Sequence, residues 1–286
     1  MKFTIGSDIE FFVYDREGGL APSQGLIGDD EKGTKHNPIT DGGFTFQRDN
    51  VAVEFATPVC HSRKEYVQAI RKGILKLHAM IPEGYSLKAI PSAVFEKEQL
   101  EHPEAMEFGC DPDFNAWKKG RVNPKPYSDN VCLRTAGFHI HVGHKDLNTK
   151  EMKEKFIRNM DRLLGVFSIL VDRSPESAMR KELYGKAGAF RPTPYGCEYR
   201  TLSSFWASHP KYVEIAYNLT KVALISTIYE DEYTDQTQKN FESKIENIIN
   251  TNNLLKSISF SEYFSLFPWV NRASSIKTTT LLNDWR

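Results

Sequence analysis

The chain has 286 residues, with 37 Lys and Arg against 37 Asp and Glu, and aromatics make up 12% of it. That length can bury a substantial core, and the balanced charge offers no overall field for nucleic acid or an acidic membrane surface. The N-terminal residues Met1-Lys2-Phe3-Thr4 are too polar for a signal peptide, and no apolar run approaches the roughly 20 residues of a membrane span. The expectation is a soluble, cytoplasmic protein. Cys60, Cys110, Cys132 and Cys197 are widely separated and include no Cys-x-x-Cys pair, so reduced thiols are expected and structural zinc is not.

From Phe3 to Val13, apolar Phe3, Ile5, Ile9, Phe11 and Val13 alternate with Thr4, Gly6, Asp8 and Glu10. Period two predicts a strand with one core face and one face carrying two carboxylates. Residues 15–43, rich in Gly, Asp and Pro, read as loops with short strands between them. A second strand is expected over Asn50–Pro58, with Glu54 its charged interior residue. A helix is expected from Ser62, its N-cap, to Met80. Residues 82–135 read as loops around short elements.

A third strand is expected over Gly137–Gly143, with Phe138, Ile140 and Val142 opposite His139 and His141. A helix over about 150–172 follows, capped by Asn148 or Thr149. The strand pattern returns at Cys197–Leu202, with Glu198 and Arg200 two apart. Two further helices are expected at 211–229 and 238–256, then a mixed, aromatic-containing tail. Strands and helices without regular βαβ alternation favour an α+β fold with a mainly antiparallel sheet. The whole is expected to be one domain, its motif-bearing core covering about residues 1–206 and a helical segment about 210–286.

Three strands thus carry polar pairs at i and i+2: Asp8 with Glu10, His139 with His141, and Glu198 with Arg200. Residues two apart in a strand share a face. With Glu54 the set holds four carboxylates, two imidazoles and a guanidinium, costly together unless a cation neutralises them or water reaches them. Carboxylates dominate and no cysteine joins, which favours Mg²⁺ or Mn²⁺ over structural zinc. Such ions usually complete their shell with water and phosphate oxygens, so a phosphate-bearing substrate is expected, ATP first. The segment Tyr184-Gly-Lys-Ala-Gly-Ala-Phe-Arg191 adds glycines that admit phosphate and the cations Lys186 and Arg191. Lys186 reads equally well as an ordinary loop lysine. Asp111 and Asp113, flanking Pro112, read as a turn, and Trp117 and Trp206 as packing residues.

Four blocks in order, Gly6-Ser-Asp-Ile-Glu-Phe-Phe12, Arg48-Asp-Asn-Val-Ala-Val-Glu-Phe55, Gly137-Phe-His-Ile-His-Val-Gly143 and Phe190-Arg-Pro-Thr-Pro-Tyr-Gly-Cys-Glu-Tyr-Arg-Thr-Leu202, resemble the carboxylate-amine ligases, or amidoligases, of the glutamine synthetase-like superfamily. A fifth, Phe108-Gly-Cys-Asp-Pro-Asp-Phe-Asn-Ala-Trp117, resembles a signature of the phage-encoded branch, which would place the protein in a host cytoplasm. The resemblance implies a curved sheet with helices on its convex face and ATP with two or three Mg²⁺ on its concave side. It implies Glu10, His139 and Glu198 on one metal and Asp8, Glu54 and Asp49 on another. Arg191 and Arg200 would contact the transferred phosphate, and His141 and Lys186 the nucleotide. Glu10, Arg191 and Arg200 would carry the catalysis. Where the superfamily often has Glu-x-Glu, this chain has Asp8-Ile9-Glu10.

The implied reaction joins a small-molecule or peptide carboxylate to an amine through an acyl phosphate, in a possible homo-oligomer without nucleic-acid partners. Two competing readings are a phosphotransferase like the guanidino kinases, and a non-catalytic metal-binding structural protein.

Overall fold

The computed structural model of the chain describes residues 1–28, 37–106, 113–229, 236–253 and 280–285. It begins with β1 (Thr4–Tyr14), β2 (Leu20–Ala21), β3 (Ile39–Asp41), β4 (Phe44–Asp49) and β5 (Ala52–Ala56). Helix α1 (Arg63–Met80) precedes β6 (Ser86–Lys88), β7 (Ser92–Val94) and α2 (Pro103–Met106), and then β8 (Phe114–Asn115), β9 (Arg121–Val122), β10 (Leu133–Thr135) and β11 (Phe138–Gly143). Helices α3 (Lys150–Met160), α4 (Val166–Val171) and α5 (Pro175–Leu183) lead to β12 (Ala189–Thr193) and β13 (Gly196–Tyr199). Helices α6 (Pro210–Tyr229), α7 (Gln236–Thr251) and α8 (Leu281–Trp285) follow.

Among the described residues, eleven strands form one sheet with the main path β3-β4-β5-β1-β11-β13-β12-β8-β9, while β10 and β7 form a separate ribbon. Every described pairing is antiparallel. This is an α+β fold with a large antiparallel sheet, as the irregular mixture of periods predicts.

The alternation in β1 sends Ile5, Ile9, Phe11 and Val13 into the main core, joined there by Val53 and Phe55 of β5 and Phe138, Ile140 and Val142 of β11. Helices α1, α3, α4 and α6 supply the other side of that core with Tyr66, Phe156, Phe167 and Val213. The α1 contact is close, because a Cβ added at Gly73 would overlap the Phe55 ring. Ser62 caps α1 by accepting from Glu65 N at 3.2 Å, while the Glu65 carboxylate accepts from His61 N at 2.8 Å.

The opposite sheet face is not polar along its whole length. Phe12, which shares that face with Asp8 and Glu10, packs in a second cluster with Val51, Ala52, Phe95, Leu100 and Ala136. The segment around β7, α2 and β10 therefore roofs one end of the polar face.

Several boundaries differ from the sequence expectation. The second strand begins at Ala52 rather than Asn50, because Asp49 pairs with Ala52 and Asn50–Val51 make the turn, with Asn50 at φ 55°. Its partner β4 has the same alternation but was not read as a strand. The expected helix over 150–172 is interrupted by a π-helical turn at Asp161–Gly165, and Thr149 is its cap, accepting from Met152 N at 3.2 Å. Helix α5 was also missed, although Ser174 caps it and Pro175 occupies its first turn, a recognisable start signal. The fourth helix expected at 238–256 runs instead over Gln236–Thr251. The expected mixed tail lies outside the described residues except for residues 280–285, where α8 falls. No described helix is long and apolar enough to cross a membrane.

Candidate active site and metal centre

Register assembles the polar face. Glu10 on β1 is directly opposite Glu54 on β5, and His141 on β11 is opposite Glu198 on β13, which in turn faces Arg191 on β12. Asp49 enters from the last position of β4 beside the same turn. Arg200 follows β13 and shares the face of Glu198.

Two donor groups result, Asp8 with His141 and Glu198, and Glu10 with Asp49 and Glu54, each with its ligand atoms within 4.8 Å of one another. This partition differs from the one implied by resemblance, which grouped Glu10 with Glu198 and His139. The reason lies in side-chain reach. Asp8 Oδ2 sits 2.8 Å from His141 Nε2, on the diagonal across the β1–β11 pair, whereas Glu10 turns to the Gly137 amide at 2.7 Å and to its cross-strand partner Glu54.

His139 stands between the groups, its Nε2 3.9 Å from Glu10 Oε1 and its Nδ1 3.5 Å from Glu198 Oε1. Burial and then the charge of Arg200 hold its imidazole well below the usual histidine range, so it is the neutral, ligand-competent form. His141 is shifted the other way: burial lowers it, but the hydrogen bond and charge of Asp8, with Glu198, outweigh that and raise it. The other ring nitrogen of His141 lies 2.8 Å from the Tyr195 hydroxyl.

The Glu10–Asp49–Glu54 group is electrostatically crowded. Burial and then Asp49 push Glu10 up to about 7, and burial, Asp49, Glu10 and Asp8 push Glu54 well above the carboxylate range. Burial also raises Asp49, against Arg200 and Arg191. Carboxylates this close, buried and opposed mainly by one another, match a divalent cation in both chemistry and charge.

Arginines flank this acid surface. Arg200, 5% exposed, pairs with Glu198 and approaches His139 Nδ1 at 3.2 Å. Its Nε lies 2.7 Å from Asp113 Oδ1, close in charge though not aligned as a hydrogen bond, and Arg191 Nε lies 3.8 Å from the same oxygen. Asp113 is therefore more than the turn residue expected from Pro112: it faces both site arginines. Asp111 lies outside the described residues. Lys186 is exposed and lines a neighbouring cavity beside Asp113, not the recess holding Glu10 and Arg200.

Behind the arginines sits Asp161, fully buried on the π turn. It accepts from Trp117 Nε1 at 2.7 Å, Gly188 N at 2.6 Å, Tyr199 Oη at 2.7 Å and Thr201 Oγ1 at 3.3 Å. Burial raises it to about 6, and these donors pull the other way. One carboxylate thus ties the 185–188 loop to the residues on either side of Arg200. Trp117, expected as a packing residue, is one of its donors, while Trp206 is buried in the core. Nothing in the spacing of Asp161 marks it, and Arg180, a further residue of the recess, lies on the unread helix α5.

A family model described as phage phiEco32-like COOH.NH2 ligase-type 2 matches residues 126–246, a span that includes His139, His141, Glu198 and Arg200. The resemblance carried by the sequence blocks is borne out there. The crystal structure of a bifunctional glutathione synthetase from Pasteurella multocida is similar at a TM-score of 0.52 and 11% identity. The likeness covers 99% of this chain and 46% of that one, so this chain spans under half of its length. At that identity the likeness concerns the fold. No curated protein matches the sequence.

Proposed function

We propose that the chain is an ATP-dependent carbon–nitrogen ligase that joins a carboxylate to an amine through an acyl phosphate. The observation that carries this reading is the convergence of two acidic donor groups and two arginines on one sheet face. The match to a carboxylate-amine ligase family over residues 126–246 supports the reaction class, and the synthetase-like fold is compatible with it. The same proposal includes a glutamine synthetase-like sheet, curved, with its helices on the convex side, and a cytoplasmic, phage-encoded enzyme organised as one domain.

Asp8, His141 and Glu198 would hold one Mg²⁺ or Mn²⁺, and Glu10, Asp49 and Glu54 another, with His139 available to either. Bound there, the ions would supply charge neutralisation for the phosphates of ATP. Arg200 and Arg191 reach the same surface and would stabilise the transferring phosphoryl group. Lys186 and His141 are assigned to the nucleotide. A substrate carboxylate oxygen attacks the γ-phosphorus and the bond to ADP breaks. The amine nitrogen then attacks the acyl carbon, phosphate leaves and the nitrogen gives up a proton.

The test is a pairwise screen of amino acids and peptides for Mg²⁺-dependent ADP release, with mass spectrometry of the product. An amide with free phosphate is expected; a stable phosphorylated product without free phosphate would identify a kinase instead. Glu10→Gln and Glu198→Gln are expected to abolish ATP consumption in folded protein, and normal turnover in both would overturn the assignment.

A further inference from the structure

Beyond the Glu10–Asp49–Glu54 group the polar face opens into two adjoining cavities. The smaller, about 50 Å³, is bounded by Glu10, Asp49, His139, Arg180 and Arg200. The larger, about 540 Å³, is bounded by Val122, Pro124, Tyr127 and Lys186. Asp113, Leu183 and Tyr184 line both, so the small recess and the large one are compartments of one cleft.

Arg180 makes the small recess chemically specific. It is 2% exposed, and its Nε and Nη1 donate to the carbonyls of Ala136 at 3.2 Å and Thr201 at 3.0 Å. Among the described residues the carboxylates that act on it, Glu10, Asp172 and Asp113, do so from beyond ion-pair reach. A buried guanidinium held by neutral carbonyls is costly unless an anion completes it. Gly185, at φ 70°, lets the chain close over this group, since a Cβ there would overlap Arg180 Nη1.

The size of the recess limits the anion. A water takes about 30 Å³ of liquid volume, so about 50 Å³ admits a group on the scale of one carboxylate, not a whole amino acid. The remainder of such a molecule must lie in the larger cavity. There the wall includes Val122 and Tyr127, 54% and 74% exposed, together with Pro124 and the shared Leu183 and Tyr184. Large apolar groups left open beside a cationic recess define a ligand with one anionic end and an apolar body.

We propose that this cleft takes a carboxylate bearing a bulky apolar or aromatic group, such as the C-terminal residue of a peptide. Its carboxylate occupies the recess at Arg180 and Arg200, and its body lies against Tyr127, Leu183 and Tyr184. The assignment deepens the ligase reading and rests on it for the identity of this carboxylate as the reactant.

Binding of three probes to the full chain, measured by calorimetry without ATP, tests it: N-acetyl-L-phenylalanine, its carboxamide and acetate. The acid is expected to bind at least about tenfold more tightly than either of the others. Arg180→Gln and Tyr127→Ala should each weaken it, and a non-hydrolysable ATP analogue with Mg²⁺ should leave it bound. Equal affinity of acid and amide, absence of binding, or competitive displacement by the analogue would overturn the proposal. Arg180 also supports two backbone carbonyls, so Tyr127→Ala, at an exposed position, carries the test independently; unchanged affinity in that variant overturns the apolar subsite. The measurement needs no turnover. Acid binding of this kind without ADP release under any amine would refute the ligase reading and leave the cleft assigned. ADP release with carboxylates indifferent to both variants would do the reverse.

Discussion

Glu10 and Glu54 are directly opposite each other across the antiparallel β1–β5 pair, both buried, with Asp49 completing a group of three acids. Like charges in that arrangement oppose folding until a proton or a cation neutralises them.

A divalent cation should therefore raise the stability of the wild-type protein. Thermal unfolding with Mg²⁺ or Mn²⁺, compared with chelator, is expected to show a rise approaching about 2.7 kcal/mol at a hundredfold excess over Kd. Glu54→Gln should have the opposite pair of effects: higher stability in chelator, because a like charge is gone, and a smaller gain from metal. Equal metal shifts in both proteins would remove Glu54 from the cation site.

Asp161 accepts from four donors belonging to three segments, so removing it leaves buried groups without their acceptor. Asp161→Ala is expected to lower the unfolding free energy by about 3 kcal/mol in urea titrations, and Asp161→Asn by less, because the amide oxygen still accepts. A loss within about 0.5 kcal/mol for the alanine variant would show that the network is not a structural anchor.

Lys181 carries the pH prediction. Burial and then Arg180 lower its amine from 10.5 to about 7, and it donates to the Gly185 carbonyl. Between about 7 and 10.5 the unfolded chain binds this proton and the folded chain does not, so stability rises with pH through that window. Below about 7 both states are protonated and the contribution is flat. Wild type compared with Lys181→Met at pH 7 and pH 9 should show the larger rise in wild type; parallel slopes would contradict the assignment.

At Gly73 the prediction is steric. A methyl group there would overlap the Phe55 ring, which also packs on Phe11, Phe44 and Phe46. Gly73→Ala is expected to cost about 1–3 kcal/mol despite the better helix propensity of alanine, read as a fall in the denaturation midpoint. A stabilised variant would mean that α1 shifts away from β5 freely.

Much of this site was legible in alternation alone. A strand's period of two places Asp8, Glu10, Glu54, His139, His141 and Glu198 opposite the apolar residues, whatever the rest of the chain does, and the same rule identified an α+β fold. Which of those residues meet was decided by pairing register and side-chain reach, which bring His141 rather than His139 to Asp8 and leave His139 between the two groups. Asp113 looked like part of a turn because local chemistry near Pro112 suffices for one; only folding brings it to Arg191 and Arg200. Arg180 and Asp161 had no pattern to betray them, since each depends on contacts between segments distant in sequence. Local period is a property of the chain, whereas the grouping of charges follows from long-range packing, and that physical difference divides what the sequence determined from what the tertiary structure decided.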